Sequence, residues 1–560
     1  MIILEILSLK LGKYKKLNEF EINFNDLEYV KSKNENNRGL LGSENINIAF
    51  LIGENGSGKS SYLEILTIIF SRLLLNQDIG FSFQLVYKIH NEDENQIVKL
   101  DNLDKSEIEF SIYNKKSSIF EVQEESFYSK TELHPKRIIS ISSGPHSNFE
   151  KLLIYLPTRN ISEKIFDLKG NESTESKLNK SLYEDLLFNP KILNFNSDSL
   201  IYIFISLMFF LPDLKSIKLN LSDEIHKESE QSETTEEDEK LRKKIEEEIN
   251  KIKDKFDENI KKLKKDLNFF EEIGFSLKIK KSKLKKFEKN INENADIGEL
   301  PQKFLSLFYK LLKIGQPDII HSGADYTYYF DKKKLKTLQN ELNDNEINSL
   351  SILTTLMIAE RLAIIESSTA YIKVGDKDSD LLTHKIFSDG EWYWLCKMGI
   401  IILIQSGFED NFLVIFDEPD VFLNEAWIED FVYNINIFSD FNGTLQPIKH
   451  HDYMIATHST LMLTDAIQSQ VYKFEQIDNN FIGNNIDFST FGADRSVISS
   501  KLFLNDKRTG NFVEEKINDV FKFRDSKKIN NLLNQLGQGY DRFLVQELKL
   551  EIDTKLGGDF

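Results

Sequence analysis

One short segment of the chain combines the residue types that bind phosphate. Residues 53–60 read GENGSGKS and fit the P-loop pattern, in which a glycine-rich loop ends in lysine and serine. Glycines let the backbone bring its N–H groups close to phosphates, so we expect ATP here, with Lys59 on its terminal phosphates and the Ser60 hydroxyl on Mg²⁺. The predicted ATP contacts are Gly53, Glu54, Asn55, Gly56, Ser57, Gly58, Lys59, Ser60 and Ser61.

A second segment supplies adjacent carboxylates at the end of an apolar run. Residues 412–416 read FLVIF and are followed by Asp417 and Glu418. Two adjacent carboxylates at the end of a buried strand are expected to bind a cation or to act on a reacting water. We predict that Asp417 holds Mg²⁺ and that Glu418 is the general base that polarises the attacking water.

Two further segments could contact the same phosphates. Ser388 and Glu391 have the spacing of a helix capping box, which predicts a helix start with free N–H groups and therefore an anion site. Gly390 would allow a phosphate to approach the backbone. His458 follows the apolar run YMIAT and is predicted to be a catalytic switch histidine that contacts the γ-phosphate.

These residues need strands and helices to position them. Alternating apolar residues predict antiparallel strands over residues 1–24, and further strands are predicted at 47–52, 81–89 and 108–113. Residues 60–75 are typical of a helix. The fold class predicted is α/β, an ATPase head of mixed-sheet lobe and helical lobe. Its parts would be residues 1–160, a mostly helical insertion at 161–380, and residues 381–560.

The insertion contains an apolar stripe and a basic cluster. Apolar residues spaced by threes and fours over 241–270 predict an amphipathic helix of roughly eight turns, packed on its own domain or forming half of a short coiled coil. Residues 199–211 predict a buried helix. The basic cluster either contacts DNA, with Phe287 stacking on a base, or is a solvated charged face. It comprises Lys278, Lys280, Lys281, Lys283, Lys285 and Lys286.

Composition excludes some classes of protein. A formal charge of −19 argues against a chain that coats nucleic acid over its whole surface. No apolar run is long enough to span a bilayer, and Cys396 is the single cysteine, which excludes an intrachain disulfide. We therefore expect a cytoplasmic protein without a membrane partner, in which Cys396 is a core thiol.

In chain order, the segments GENGSGKS, FSDGE, LVIFDEPD and IATHS resemble the ABC-type ATPases of the SMC, RecF and OLD group, described as AAA-family ATP-binding proteins. The resemblance covers residues 1–160 and 381–475. It implies a head-to-tail dimer in which Ser388, Asp389, Gly390 and Glu391 of one subunit cap the ATP held by Lys59 of the other. ATP binding would close the dimer and hydrolysis would open it.

A weaker resemblance concerns the C-terminal part of the chain. Residues 489–494 (STFGAD) and 536–540 (LGQGY) are similar to ATPases found beside bacterial restriction and anti-phage genes. This implies a nucleotide-gated switch that controls a separately encoded effector such as a nuclease, with double-stranded DNA as a candidate ligand. Two features depart from the relatives. Asn424 and Glu425 replace a histidine and proline, and the lobe-linking glutamine is missing from its candidate region, 142–146.

Other functions use similar motifs. An SMC/RecF-like DNA repair or maintenance ATPase is the main alternative, but the predicted central helix is too short for a long arm. A transporter ATPase subunit keeps its motifs closer together than Lys59 and Ser388 are here. An OLD-type nuclease would need paired metal-binding acids after His458, which we do not find. An ATP-locked scaffold would not need Glu418.

Overall fold

The computed structural model describes most of both ends of the chain and parts of its middle. The described residues are 3–14, 17–23, 46–74, 78–90, 95–103, 105, 107–114, 117–124, 127, 133, 137–142, 192–195, 199–207, 270–293, 299–318, 325–330, 334, 349–374, 381–383, 385, 388–407, 412–439, 451–477, 480–503, 511–537 and 540–556. They form two compact units, residues 1–492 and 493–560.

A mixed sheet of 13 strands organises the first unit. Its strands are β1 (Ile3–Tyr14), β2 (Leu17–Asn23), β3 (Ile46–Gly53), β4 (Phe83–His90), β5 (Asn95–Asp101), β6 (Glu109–Asn114), β7 (Ile119–Val122), β8 (Arg137–Ser142), β9 (Ile192–Phe195), β15 (Phe412–Asp417), β16 (His451–Ala456), β17 (Val471–Ile477) and β18 (Asn480–Asn485). Their order across the sheet is β7-β6-β5-β4-β1-β2-β18-β17-β3-β16-β15-β8-β9.

The sheet has an antiparallel half and a parallel half. Strands β1, β2 and β4 to β7 pair antiparallel, which confirms the alternating pattern at the N-terminus. Strands β17, β3, β16, β15, β8 and β9 are parallel neighbours. Strand β15 is an apolar run whose residues Leu413 to Phe416 are all buried, as expected for a strand covered on both faces.

Helix α1 (Lys59–Leu74) follows β3 after a five-residue loop and packs into the main hydrophobic core. Its side chains from Tyr62 to Phe70 are all buried, including the polar Glu64 and Thr67. The helix therefore cannot move without disturbing the core, and its first residue, Lys59, is held at a fixed place next to β3. The predicted helix over 60–75 is confirmed.

The described part of the predicted insertion contains, besides helices, a sheet that the expectation of a mostly helical region did not include. A second, antiparallel sheet has the order β11-β12-β10-β13-β14. Its strands are β10 (Phe270–Lys280), β11 (Gln316–Asp318), β12 (Asp325–Phe330), β13 (Ile365–Val374) and β14 (Leu381–Thr383). Helices α2 (Lys281–Glu293), α3 (Glu299–Ile314) and α4 (Ser349–Arg361) accompany it.

This region is thus mixed α/β where it is described, and β9, inside 161–380, belongs to the large sheet. Residues 200–207 are helical and buried, as predicted. The predicted amphipathic helix lies outside the described residues except for Phe270, which begins β10.

Two helices flank the acidic strand β15. Helix α5 (Asp389–Gly407) precedes it and α6 (Glu425–Ser439) follows it. Aromatic rings join the two helices, with Trp394 stacked on Trp427 at 6.0 Å between ring centroids. None of the described helices is long and apolar enough to cross a membrane.

The second unit is helical in its described residues. It contains α7 (Arg495–Leu502), α8 (Asn511–Phe523), α9 (Ser526–Gln535) and α10 (Tyr540–Leu556). Asp494 caps α7 and Asp525 caps α9 by accepting hydrogen bonds from backbone N–H groups. A small core that includes Ile529 and Val545 joins α8, α9 and α10. The boundary between the two compact units therefore lies at residue 493, inside the predicted C-terminal part, residues 381–560.

Candidate functional site

Most of the residues predicted to bind ATP and Mg²⁺ lie together at one edge of the large sheet. Strands β3, β16 and β15 are parallel neighbours, and their registers align Leu51 with Ala456 and Ala456 with Asp417. Parallel strands in register end at the same edge. The loop 53–60, the carboxylates after β15 and His458 after β16 therefore meet there.

The loop between β3 and α1 has the backbone of a tight anion cradle. Gly53, Gly56 and Gly58 have φ values of 148°, 85° and 98°, which side-chain-bearing residues rarely adopt. A Cβ atom on Gly53 would also lie 2.3 Å from the Phe474 carbonyl oxygen. The glycine spacing is thus required by the conformation of the loop itself.

Lys59 folds back over this loop. Its Nζ donates hydrogen bonds to the carbonyl oxygens of Gly53 and Glu54, at 2.9 and 3.1 Å. Burial lowers the pKa of Lys59 to about 8, although Glu418 and Asp417 oppose this shift. The amine therefore stays protonated at neutral pH and has a positive charge to offer to a phosphate.

Ser60 and Asp417 are in direct contact. The Ser60 hydroxyl donates a hydrogen bond of 2.9 Å to Asp417 Oδ1, which joins the two predicted magnesium ligands across 357 positions of sequence. Burial raises the pKa of Asp417 to about 6, against the effect of the Ser60 hydrogen bond. A cation at this position would favour the charged carboxylate.

The loop also fits a phosphate ligand by an observation independent of its sequence pattern. The buried Ser57 hydroxyl has no hydrogen-bond partner among the described residues. Gly56 is exposed, and a Cβ there would meet nothing within 4 Å. Buried polar groups are normally satisfied, so an acceptor such as a phosphate oxygen suits Ser57.

The predicted general base and the predicted switch histidine face each other. His458 Nε2 lies 3.8 Å from Glu418 Oε1, too far for a hydrogen bond. Burial, with a smaller effect of the Lys59 charge, lowers the pKa of His458, so the imidazole is neutral at pH 7. Glu418 has a φ of 52°, a strained value for a non-glycine residue, and its N–H donates to the Ala456 carbonyl at 2.8 Å.

Two side chains with no role predicted from the sequence, Thr457 and Lys397, contact the loop that follows β15. Thr457 Oγ1 donates to Asp420 Oδ1 at 2.7 Å and accepts from the Ser459 N–H at 2.9 Å. The completely buried Lys397 of α5 donates to the Pro419 carbonyl. A lone lysine in the apolar run WYWLCKMGIIILIQ was the available signal for it.

The start of α5 lies beside the loop that follows β15. The helix begins at Asp389, which places Ser388 at the predicted N-cap position, and both residues are exposed. Tyr393 stacks on Phe422 at 4.9 Å between ring centroids. A Cβ on Gly390 would lie 2.5 Å from the Phe422 carbonyl oxygen, so packing within the chain already requires this glycine. The predicted phosphate approach at Gly390 and the role of Glu391 stay predictions.

The basic cluster is elsewhere, on the second sheet, and is divided in two. Lys278 and Lys280 lie on β10, where both pair with Glu366 at 2.7 and 3.6 Å. The other four lysines are on α2. Phe287 is only 4% exposed and packs edge-on against Phe304, so the expectation that it stacks on a base is wrong.

Neither a protein-family model nor a curated protein matches this chain. The family resemblance therefore depends on the four sequence motifs. The structure adds that three of them, at residues 53–60, 417–418 and 458, lie at the same edge of the large sheet.

Proposed function

We propose that the chain is an ATPase of the ABC type that binds ATP between two copies of itself. The observation that carries the proposal is the meeting of Lys59, Ser60, Asp417, Glu418 and His458 at one edge of the large sheet. These residues come from three separate segments of the sequence. Their types match what phosphoryl transfer to water requires.

Each side chain has one task in this proposal. Lys59 would leave the loop carbonyls and bind the terminal phosphates of ATP, and Ser60 and Asp417 would hold Mg²⁺. A bound Mg²⁺ supplies positive charge to the phosphate oxygens during transfer. Glu418 would accept a proton from the attacking water, and neutral His458 can donate a hydrogen bond to a γ-phosphate oxygen. The products are ADP and phosphate.

The dimer is supported by the exposure of Ser388 and Asp389 at the start of α5. An exposed helix start offers N–H groups to an anion on a second molecule. The finer proposal is a nucleotide-gated switch in a bacterial restriction or anti-phage system that controls a separate effector such as a nuclease. Its support is the resemblance of residues 489–494 and 536–540. An SMC/RecF-like role on DNA is the alternative.

The test compares ATP hydrolysis and solution mass for the wild type and Glu418→Gln, with and without double-stranded DNA. We expect Glu418→Gln to lower turnover by roughly 10²-fold or more, because general-base catalysis contributes about that factor, and to accumulate as an ATP-dependent dimer. Glu515→Gln is the matched control, since Glu515 is exposed on α8. Full activity of Glu418→Gln, or a monomer with ATP bound, would refute the proposal. An effect of DNA on turnover would favour a DNA-linked role.

A further inference from the structure

A pocket of about 440 Å³ opens on the second sheet, among β10, α2, α3 and β12. It has an apolar floor that includes Ile279, Leu284 and Leu312, all buried. Its polar lining is Lys281, Lys285, Lys313, Tyr309, Tyr326 and Tyr328, with Glu288. Ligand pockets typically measure about 300–1,000 Å³ and combine an apolar surface with a few polar groups, as this one does.

The charges around the pocket are mainly positive. Lys281 is held in place, with its Nζ 2.9 Å from the Tyr326 hydroxyl and 4.3 Å from the centroid of the Tyr326 ring. Lys285 lies one turn further along α2, and Lys313 reaches the pocket from α3. Against these three amines the lining offers one carboxylate, Glu288, in a chain whose formal net charge is −19.

The Glu288 carboxylate is hydrogen-bonded to another lining residue, Tyr309. Burial and a hydrogen bond with Glu288 raise the pKa of Tyr309 to about 12, so this phenol stays neutral. The hydrogen bond with Lys281 lowers the pKa of Tyr326. An anion in the pocket would face three lysines and one carboxylate that is hydrogen-bonded to Tyr309.

The tyrosines supply flat apolar surface next to the amines. Tyr326 and Tyr328 alternate along β12 and project to the same face, with ring centroids 6.5 Å apart. Tyr309, 38% exposed, lines the pocket from α3. Aromatic rings beside lysines suit a ligand with both a planar ring and a phosphate, because bases stack on aromatic side chains while amines bind phosphate.

We propose that this pocket is a second nucleotide site, which binds a single nucleoside phosphate with its base against the tyrosines and its phosphate at Lys281, Lys285 and Lys313. The ligand is a free mononucleotide or the 5′-phosphorylated end of a strand, since both present the same chemistry. A long duplex fits less well. Lys278 and Lys280 pair with Glu366, and Lys283 and Lys286 do not line the pocket.

The test is calorimetric titration of the full chain with AMP, inorganic phosphate and a 5′-phosphorylated dinucleotide. Lys285→Glu/Lys313→Glu should weaken AMP binding about tenfold or more, because each change replaces an attractive charge on the phosphate by a repulsive one. The control is Lys283→Glu/Lys286→Glu, which makes the same charge change at exposed positions outside the pocket. It should weaken AMP binding by no more than about twofold, as expected for screened surface charges. Thermal unfolding checks that both double variants fold.

Three outcomes overturn the inference: no AMP binding, equal weakening by both double variants, or inorganic phosphate binding as tightly as AMP. Lys59→Ala separates the two sites, since it should abolish ATP binding at the P-loop and leave the AMP affinity unchanged. The second site can thus fail while the ATPase proposal stands, and the reverse. Tighter binding of AMP than of the dinucleotide assigns a free mononucleotide, and the opposite order assigns a strand end.

Discussion

Replacing the buried Lys397 by methionine should remove a pH dependence from the stability of the first unit. Lys397 is fully buried on α5, donates to the Pro419 carbonyl and lies near Asp420. Burial lowers its pKa from the ordinary 10.5 to about 7, although the Asp420 charge opposes the shift. Methionine has a similar length and carries no charge, so Lys397→Met keeps the packing and removes the titration.

The sign follows from the protons bound in each state. Between pH 7 and 10.5 the unfolded chain keeps the lysine proton and the folded chain releases it, so the free energy of unfolding rises with pH in this window. Each pH unit contributes about 1.4 kcal/mol, which gives an upper limit of about 5 kcal/mol for the whole window. From pH 6.5 to 9.0, the free energy of unfolding of the wild type should therefore rise by about 2–3 kcal/mol relative to that of Lys397→Met.

The assay is urea unfolding followed by tryptophan fluorescence at several pH values. All three tryptophans, Trp392, Trp394 and Trp427, lie on α5 and α6, so the signal reports the region around Lys397. Loss of the hydrogen bond to the Pro419 carbonyl lowers the free energy of unfolding of Lys397→Met by a constant amount. All other titrating groups are the same in both proteins, so their effects cancel in the difference. Lys286→Met, at an exposed position, should show no pH-dependent difference from the wild type. A constant difference between Lys397→Met and the wild type across this pH range would refute the reasoning.

Two further predictions concern packing around α5. Gly390→Ala should destabilise the protein by about 1–3 kcal/mol, because its Cβ would overlap a backbone carbonyl oxygen at 2.5 Å. Gly537→Ala is the control: a Cβ at this position meets nothing within 4 Å, so thermal unfolding should be unchanged. Equal melting temperatures for the two variants would contradict this packing. Cys396 is fully buried, and burial raises the pKa of its thiol well above the ordinary value, so a thiol reagent should label the chain only in denaturant. Rapid labelling of the native protein would mean that α5 is not packed as described.

Elements with a strong local pattern could be predicted from the sequence. Strand β15, an apolar run of FLVIF, and helix α1, which follows the P-loop motif, lie where the patterns place them. The candidate site could be predicted for a related reason. Its residues occupy the ends of apolar strands, and parallel strands of one sheet present such ends at a common edge. Ser60 and Asp417 meet because β3 and β15 both pair with β16.

The second sheet was missed because its pairings are not local. Strand β10 pairs with β13, whose residues lie about ninety positions later in the chain, and no short window of sequence contains both. A period of two was nevertheless present in β10, where Phe275, Leu277 and Ile279 are buried and alternate with polar residues. The many lysines in and after β10 favoured the prediction of a charged surface over that of a strand. Which of these lysines belong to β10 and which to α2 is decided by the tertiary structure. The support of Pro419 by Lys397 depends likewise on the packing of α5 beside the loop after β15.

The packing of α5 has a consequence for the proposed dimer. Gly390 and Tyr393 contact Phe422, and Lys397 holds Pro419, so the start of α5 is joined to the loop that carries Glu418. In the dimer, that helix start would cap the ATP of one site while Glu418 acts in the other. A displacement of α5 on ATP capping would reach the general base through a few packed residues, because closely packed contacts transmit shifts rather than absorb them. The two ATP sites would then be coupled within each chain as well as across the interface, through the contacts at Phe422 and Pro419.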